Sequence, residues 1–380
     1  MGPLQGVTVI EIASLGPGPF CAMILADLGA SVIRVDRVDA VSGGDPGSPP
    51  PQPLVRGRRS IGVDLKNPGG SGVVLKMAEA ADVLIEGFRP GVAERLGMGP
   101  DECLALNPGL VYGRVTGWGQ TGPQASDAGH DIDFVAVSGA LHAIGRVGEA
   151  PVLPLNLIAD FGGGGMLLAV GVLAALLERD RSGRGQVVDA AMVDGSALLM
   201  TMFHGLLAEG LWTDERGVNL FDGGAPFYDV YETSDGGFMA VGAIEPQFFA
   251  RLVKLLGLEP SEVPDHMDRS RWPELRSLLD QRFLTRTRDD WEEVFAGEDA
   301  CAAPVLSLTE APVYPHHKER GVFIEVGGLV QPAPAPRFSR SVPETPTPPP
   351  HAGQHTAEVL AELGFDPVEI EQLRGSGVVR

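Results

Sequence analysis

The chain has 380 residues, 44% of them hydrophobic and 21% charged, a globular composition too long for one compact core, so two domains are expected. Its net charge of −21 argues against duplex nucleic acid as a partner and obliges any anionic ligand to find a local basic patch. Cys21, Cys103 and Cys301 lie far apart with no C-x-x-C spacing, which fits a reducing cytoplasm and argues against secretion or structural zinc.

The opening "MGPLQGVTVIEIA" has no basic n-region and reads directly as a strand, so no signal peptide is expected. "GVTVIEIA" (6–13) is the first strand, "SLGPGP" a turn, "FCAMILADLG" (20–29) a helix and "SVIRVDR" (31–37) a second strand. Such a βαβ unit makes a parallel pair. Gly16-Pro-Gly18 does not complete a dinucleotide fingerprint. Cys21 stands at the third glycine position, and Pro17 and Pro19 lack the N–H groups a pyrophosphate uses, although Asp36 follows at the distance of a ribose-binding acid. The segment reads as a tight turn. Residues 44–54 form a turn-rich loop; strands follow at 60–66, 81–88 and 110–119, with helices at 69–80 and 91–97. This alternation predicts an α/β fold with an open, mostly parallel, Rossmann-like sheet.

Phe161 to Leu177 carries no charge but is short for a membrane span, so a buried core helix and no membrane partner are expected. Residues 185–208 read as a strand running into a long helix. Two strand-like halves in 225–244 flank "SDGG", a hairpin signal. Helical patterns follow at 246–258, 272–284 and 288–296, and residues 331–350 are Pro-rich. The expected layout is a large α/β domain over 1–190, a linker helix region over 191–224 and a smaller α+β domain over 225–325. Residues 326–380 form a return segment packing on the large domain.

Three residues stand out as carriers of chemistry. His130, in "DAGHDIDF", sits in a glycine-rich loop after a strand, where α/β folds place their chemistry; a structural histidine is the alternative. Asp160 precedes four glycines in "IADFGGGG". As a helix N-cap its pKa would fall; among the flanking apolar residues burial would raise it. The glycines would let a ligand reach helix-start N–H groups able to stabilise a developing oxyanion. Glu245, in "AVGAIEPQ", is either an exposed strand end or a group aimed at a histidine. Arg34, Arg37, Arg56, Arg58 and Arg59, followed by Arg89 and Arg95, are either a solvated surface or an anion site. No histidine pair has metal-ligand spacing, and no G-x-S-x-G elbow is present.

The segments "PGPFCAMILADLGASVIRVDR" (17–37), "ADVLIEGFRPGVAERLG" (81–97), "GWGQTGP" (117–123), "AGHDI" (128–132), "PLNLIADFGGGG" (154–165), "GQVVDAAMVDG" (185–195), "DGGAPFYDVYE" (222–232) and "VGAIEPQF" (241–248) occur in one order. Together they resemble the family III CoA-transferase (CaiB/BaiF-type) superfamily, and within it the α-methylacyl-CoA racemases, from residue 3 to about 340. The resemblance implies that His130 and Asp160 are the two bases and that Glu245 pairs with the histidine. It implies coenzyme A contacts at Arg37, at Val63, Asp64, Leu65 and Lys66, at Gly87, Phe88 and Arg89, at Arg95, and at Gly129, Asp131 and Phe134. Relatives often carry tyrosine where this chain has Phe134. An intertwined homodimer is implied too, with Glu245 supplied by the partner subunit.

The chemistry that follows is inversion of a carbon acid beside a thioester. One group removes the proton from one face, and a second returns a proton to the other, through an enolate. With ordinary pKa values of about 6.5 for histidine and 3.9 for aspartate, the aspartate has to be raised by burial. The implied enzyme is an isomerase of lipid and fatty-acid metabolism. Its partner is an acyl-CoA thioester, and no cofactor is needed beyond the coenzyme A of the substrate. A CoA-transferase with Asp160 as nucleophile, forming an acyl anhydride, and a non-catalytic acyl-CoA binder are the alternatives.

Overall fold

The computed structural model describes residues 2–380. The chain folds as two units. The first takes the chain up to Ser138, Leu155–Leu199 and His316–Arg380, and the second takes Gly139–Pro154 and Met200–Pro315.

In the first unit six strands form one sheet: β1 (Thr8–Ile12), β2 (Ser31–Arg37), β3 (Arg58–Val63), β4 (Val83–Glu86), β5 (Val111–Thr116) and β6 (Val187–Ala191). Every pairing is parallel and the order is β3-β2-β1-β4-β5-β6. This is the doubly wound order of the Rossmann type, with its topological switch where β2 and β4 flank β1. The strands are runs of Val and Ile because a parallel sheet is covered on both faces. Alternation splits them. Ile10, Ile12, Ile33, Ile61, Leu84 and Tyr112 face one core with α2 (Pro68–Ala80) and Val359, Leu360 and Ile370 of the C-terminal segment. Val9, Val32, Val83, Ile85 and Val111 face the other core, with Cys21 and Leu25 of α1 (Pro17–Asp27). Each fully buried side chain of this size contributes about 1.5–3 kcal/mol.

The unit is completed by α3 (Asp131–Val137), α4 (Leu167–Ser182) and α5 (Met192–Leu199). The helix expected over 161–177 differs in two ways. It starts earlier, and Leu157–Met166 is wound as a π-helix that runs straight into α4. It is also not a fully buried core helix. Leu168, Ala169, Val172, Ala175 and Leu176 pack on the sheet, while Met166, Val170 and Leu177 are exposed. Phe323–Val326 and Leu329–Pro332 pair as an antiparallel hairpin that the sequence reading did not anticipate. Gly327 and Gly328, at φ 61° and 78°, supply the left-handed pair a two-residue turn requires.

The second unit holds an antiparallel sheet in the order β7 (Tyr228–Glu232), β8 (Phe238–Gly242), β9 (Ala302–Pro304). The hairpin around "SDGG" is its first pair. Three helices, α6 (Pro246–Leu255), α7 (Trp272–Phe283) and α8 (Arg288–Phe295), bury Phe249, Leu252, Leu275, Leu279, Phe283 and Trp291 together with Phe227, Tyr231 and Met239. The unit boundaries differ from the expected 191–224 linker and 225–325 domain. Residues 192–199 stay with the first unit because Gly195 packs on Gly163. Residues 139–154 join the second because Arg146 pairs with Asp229 at 2.7 Å. Residues 200–224 also belong there rather than forming a linker. Asn219 bonds the backbone of Thr213 and Glu215, and Arg276 bonds the carbonyls of Gly223 and Gly224.

Candidate active site

At the carboxyl ends of β1, β4 and β5 the first unit opens a cavity of about 440 Å³. The loop Leu15-Gly16-Pro17 after β1, Gly87–Pro90 after β4 and Gly117–Trp118 after β5 line it. It sits at the switch point, where the chain leaves the central strands in opposite directions and the crevice between them stays open.

His130 and Asp160 both line this cavity. His130 is the N-cap residue of α3, held extended at φ −125° and ψ 174°, and its backbone N–H donates to Asp133 Oδ2 at 2.9 Å. Its side chain is exposed. Asp160 is not an N-cap; it lies within the π-helix, half-buried. Burial pushes its carboxyl above the usual carboxylate range. The neighbouring Asp131 adds to that rise, while Asn156 and His130 oppose it. Of the two pulls open from sequence, desolvation wins. Gly16, at φ 65°, lies against this carboxyl: a Cβ there would stand 3.0 Å from Asp160 Oδ2.

Three of the four glycines after Asp160, Gly163, Gly164 and Gly165, are fixed by packing rather than by ligand access. A Cβ on Gly163 would meet the Ser196 nitrogen at 2.7 Å, on Gly164 the Met192 and Pro17 side chains at 2.9 Å, and on Gly165 the Pro17 carbonyl oxygen at 2.7 Å. They are small because the π-helix is wedged between α1 and α5. At the start of the π-helix two of the N–H groups are already taken. The N–H groups of Ala159 and Asp160 both donate to Asp131 Oδ1 at 2.8 Å. Asp131 is buried, its side chain fastens the segment that carries Asp160, and it is not among the residues lining the cavity.

The other implied contacts divide. Gly87, Phe88, Arg89, Gly129 and Phe134 line the cavity. Glu86, held by Arg114 at 2.8 Å, accepts the Phe88 N–H at 2.6 Å and so fixes the loop that carries Arg89. Phe134 is buried edge-on to Trp118, and Gly117 and Gly129 lack side chains where its ring crosses them. It is an apolar floor to the cavity. Arg95 is exposed at the end of a short helix, Val92–Arg95, and does not line the cavity.

Arg37, Val63, Asp64, Leu65 and Lys66 lie at the ends of β2 and β3, away from the cavity lining. The backbone contacts implied for Val63–Lys66 are partly closed. Val63 bridges to Val379, the Asp64 N–H donates to the Val378 carbonyl at 2.9 Å, and the Lys66 N–H donates to Asp64 Oδ1 at 3.0 Å.

The arginine cluster is also mostly internal. Arg58 meets the fully buried Glu11 at 3.1 Å, and Arg34 pairs with Glu11 and Asp36. Arg56 is bound to Asp27 and to Gln331, and Arg59 to Glu358 and Glu362. Arg37, exposed and shared with Asp39, is the member left at the surface for an anion. Buried charges are tolerated because each has a partner.

Glu245 belongs to the second unit. It stands three residues past β8 as the N-cap residue of α6, exposed, with Cys301 in its electrostatic range. Among the described residues no three His, Cys, Asp or Glu side chains gather as metal ligands would. Asn156 was missed from sequence. Its Nδ2 donates to Asp160 Oδ2 at 3.0 Å, and the available signal was its place four residues before the aspartate in "NLIAD".

Comparison with known proteins shows the family. The family model for CoA-transferase family III matches residues 4–356. The α-methylacyl-CoA racemase of Mus musculus is 49% identical over 379 residues, covering 99% of this chain and 97% of that one. The protein of the same name from Homo sapiens is 47% identical over 383 residues, with coverage of 99% and 97%. A solved CAIB/BAIF family protein from Brucella suis matches with a TM-score of 0.80 at 27% identity, over 95% of this chain and 99% of its own.

Proposed function

The chain belongs to CoA-transferase family III, and from that membership we propose that it is an isomerase interconverting the (2R) and (2S) epimers of 2-methylacyl-CoA thioesters. The observation that carries this reading is that His130 and Asp160 face one cavity, with burial raising the Asp160 carboxyl above the usual carboxylate range.

With one epimer bound, neutral His130 takes the α-proton from one face. The C–H electron pair passes into the thioester enolate, and protonated Asp160 gives its proton to the opposite face. With the other epimer the imidazolium and the Asp160 carboxylate exchange roles, so the pair carries one proton in either starting state. The acidity comes from the thioester, and the reaction runs on these two side chains with no cofactor beyond the substrate's coenzyme A. Arg89 at the cavity rim and Arg37 at the surface are the cations available to its phosphates. Glu245 supports the imidazolium from the partner subunit of a homodimer. The exposed apolar side chains of Leu157, Met166, Val170 and Leu177 are what a second copy would cover. A cytoplasmic setting suits three free cysteines.

The test is α-proton exchange in deuterated water with one pure epimer and no acceptor acid. Exchange with epimerisation is expected. His130→Ala should lose about 10²–10⁴-fold while binding the ester nearly as well. Exchange at full rate in that variant overturns the assignment of the base. A strict need for an acceptor acid would instead favour the transferase route through an acyl-Asp160 anhydride.

A further inference from the structure

Asp160 presents two different oxygens. Oδ2 accepts the Asn156 Nδ2–H at 3.0 Å and is the atom nearest to where a Gly16 Cβ would stand, 3.0 Å away against 3.5 Å for Oδ1. Among the described residues Oδ1 has no hydrogen-bond partner, and it is not among the enclosed polar atoms, while the residue lines the cavity. The backbone is arranged around this asymmetry. Leu155, exposed and not glycine, is left-handed at φ 59°, a conformation costing an L-residue about 1–2 kcal/mol. It directly precedes Asn156, the N-cap residue of the π-helix. Residues four apart lie about one helical turn from each other, so from the N-cap, just after the turn at Leu155, the Asn156 side chain reaches Asp160. Strain of this kind persists where the surrounding structure uses it.

We propose that Asn156 is a positioning residue that occupies Asp160 Oδ2, leaving Oδ1 as the atom that takes and returns the α-proton. The inference rests on the two-base reading given above. In the deprotonation step the α-C–H bond breaks, the O–H bond forms at Oδ1, and the electron pair moves into the enolate. His130 then delivers its own proton to the other face. The amide donor at Oδ2 has a second effect: it favours the charged carboxylate, opposing the burial that disfavours it. Asn156 therefore sets how far the one-proton state of the pair extends toward acid.

The experiment is the pH profile of kcat/KM for α-proton exchange, run from each epimer of a 2-methylacyl-CoA with the full-length protein, Asn156→Ala and Asn156→Asp. Loss of a hydrogen bond to a charged group should move the acidic limb of Asn156→Ala up by about one pH unit. Asn156→Asp keeps the shape, removes the donor and adds a like charge, so its limb should move further. Both directions must shift together, since their ratio is fixed by the equilibrium between epimers. A purely structural role would lower the rate and leave the limb in place, and that outcome, with both variants folded by circular dichroism, overturns the inference. Wild-type protein that exchanges no α-proton at any pH overturns the functional reading instead, and this inference with it.

Discussion

Burial disfavours the charged form of Asp160. Its folded-state pKa lies above the ordinary value because burial penalises the carboxylate more than Asn156 and His130 favour it. A raised carboxyl contributes its full stability below the unfolded value and loses that contribution as pH rises through the folded one. Asp160→Asn removes the charge and keeps the shape. The variant should therefore melt higher than wild type at pH 7, with the difference shrinking as pH falls toward the unfolded carboxylate range, while α-proton exchange is abolished. Thermal unfolding at several pH values checks the sign; an equal or lower melting temperature for the variant at pH 7 would show that the carboxylate is not strained. His130 and Asp160 could be singled out in the sequence because each residue type sits in a telling neighbourhood, a glycine-rich loop and an apolar run. The role of Asp131 could not. Its partners, the N–H groups of Ala159 and Asp160, lie 28 and 29 residues further along the chain, and only the fold brings them together.

At the scale of elements, the π-helix shows why "DFGGGG" was misread. Four glycines after a carboxylate suit ligand access, and local sequence contains nothing to say that another helix occupies that space. In the structure the interface is backbone on backbone. A Cβ on Gly195 would stand 1.9 Å from the Gly163 carbonyl oxygen, whereas Gly205 has open space around its Cβ position. Helix propensity alone would make alanine better than glycine at either position by about 1 kcal/mol. Overlap with backbone reverses that at Gly195, because α5 would have to lift away from the segment that carries Asp160. Gly195→Ala should cost about 2–5 kcal/mol in denaturant unfolding, and Gly205→Ala should be neutral or slightly stabilising. Equal effects at the two positions would mean that α5 shifts without strain. The strands were the easier elements to read: β2 falls on the expected 31–37, since a strand buried on both faces is a run of β-branched residues with sharp edges. The hairpin at 323–332 did carry its signal, Gly327-Gly328 between alternating residues, but the Pro-rich stretch beside it masked the pattern.

At the scale of the molecule, the sheet order explains why chemistry collects where it does. Strand alternation made the parallel sheet legible, but the order β3-β2-β1-β4-β5-β6 depends on which way each connection turns, and that is not written in local pattern. The order sets the ends of β1, β4 and β5 side by side, and with them the loops that meet His130 and Asp160. Glu245 lies in the other unit, exposed, at a helix N-terminus. If each site combines His130 of one protomer with Glu245 of the other, two crippled variants can rescue each other. In a heterodimer of His130→Ala and Glu245→Ala subunits, one site receives both lesions and the other receives neither. After subunit exchange in an equal mixture, half of the dimers are mixed and half of their sites are intact. Activity should then recover to about a quarter of wild type from two nearly inactive parents. Glu245 acting on the His130 of its own chain would leave every mixed dimer with one lesion per site, and the mixture would stay as inactive as its components.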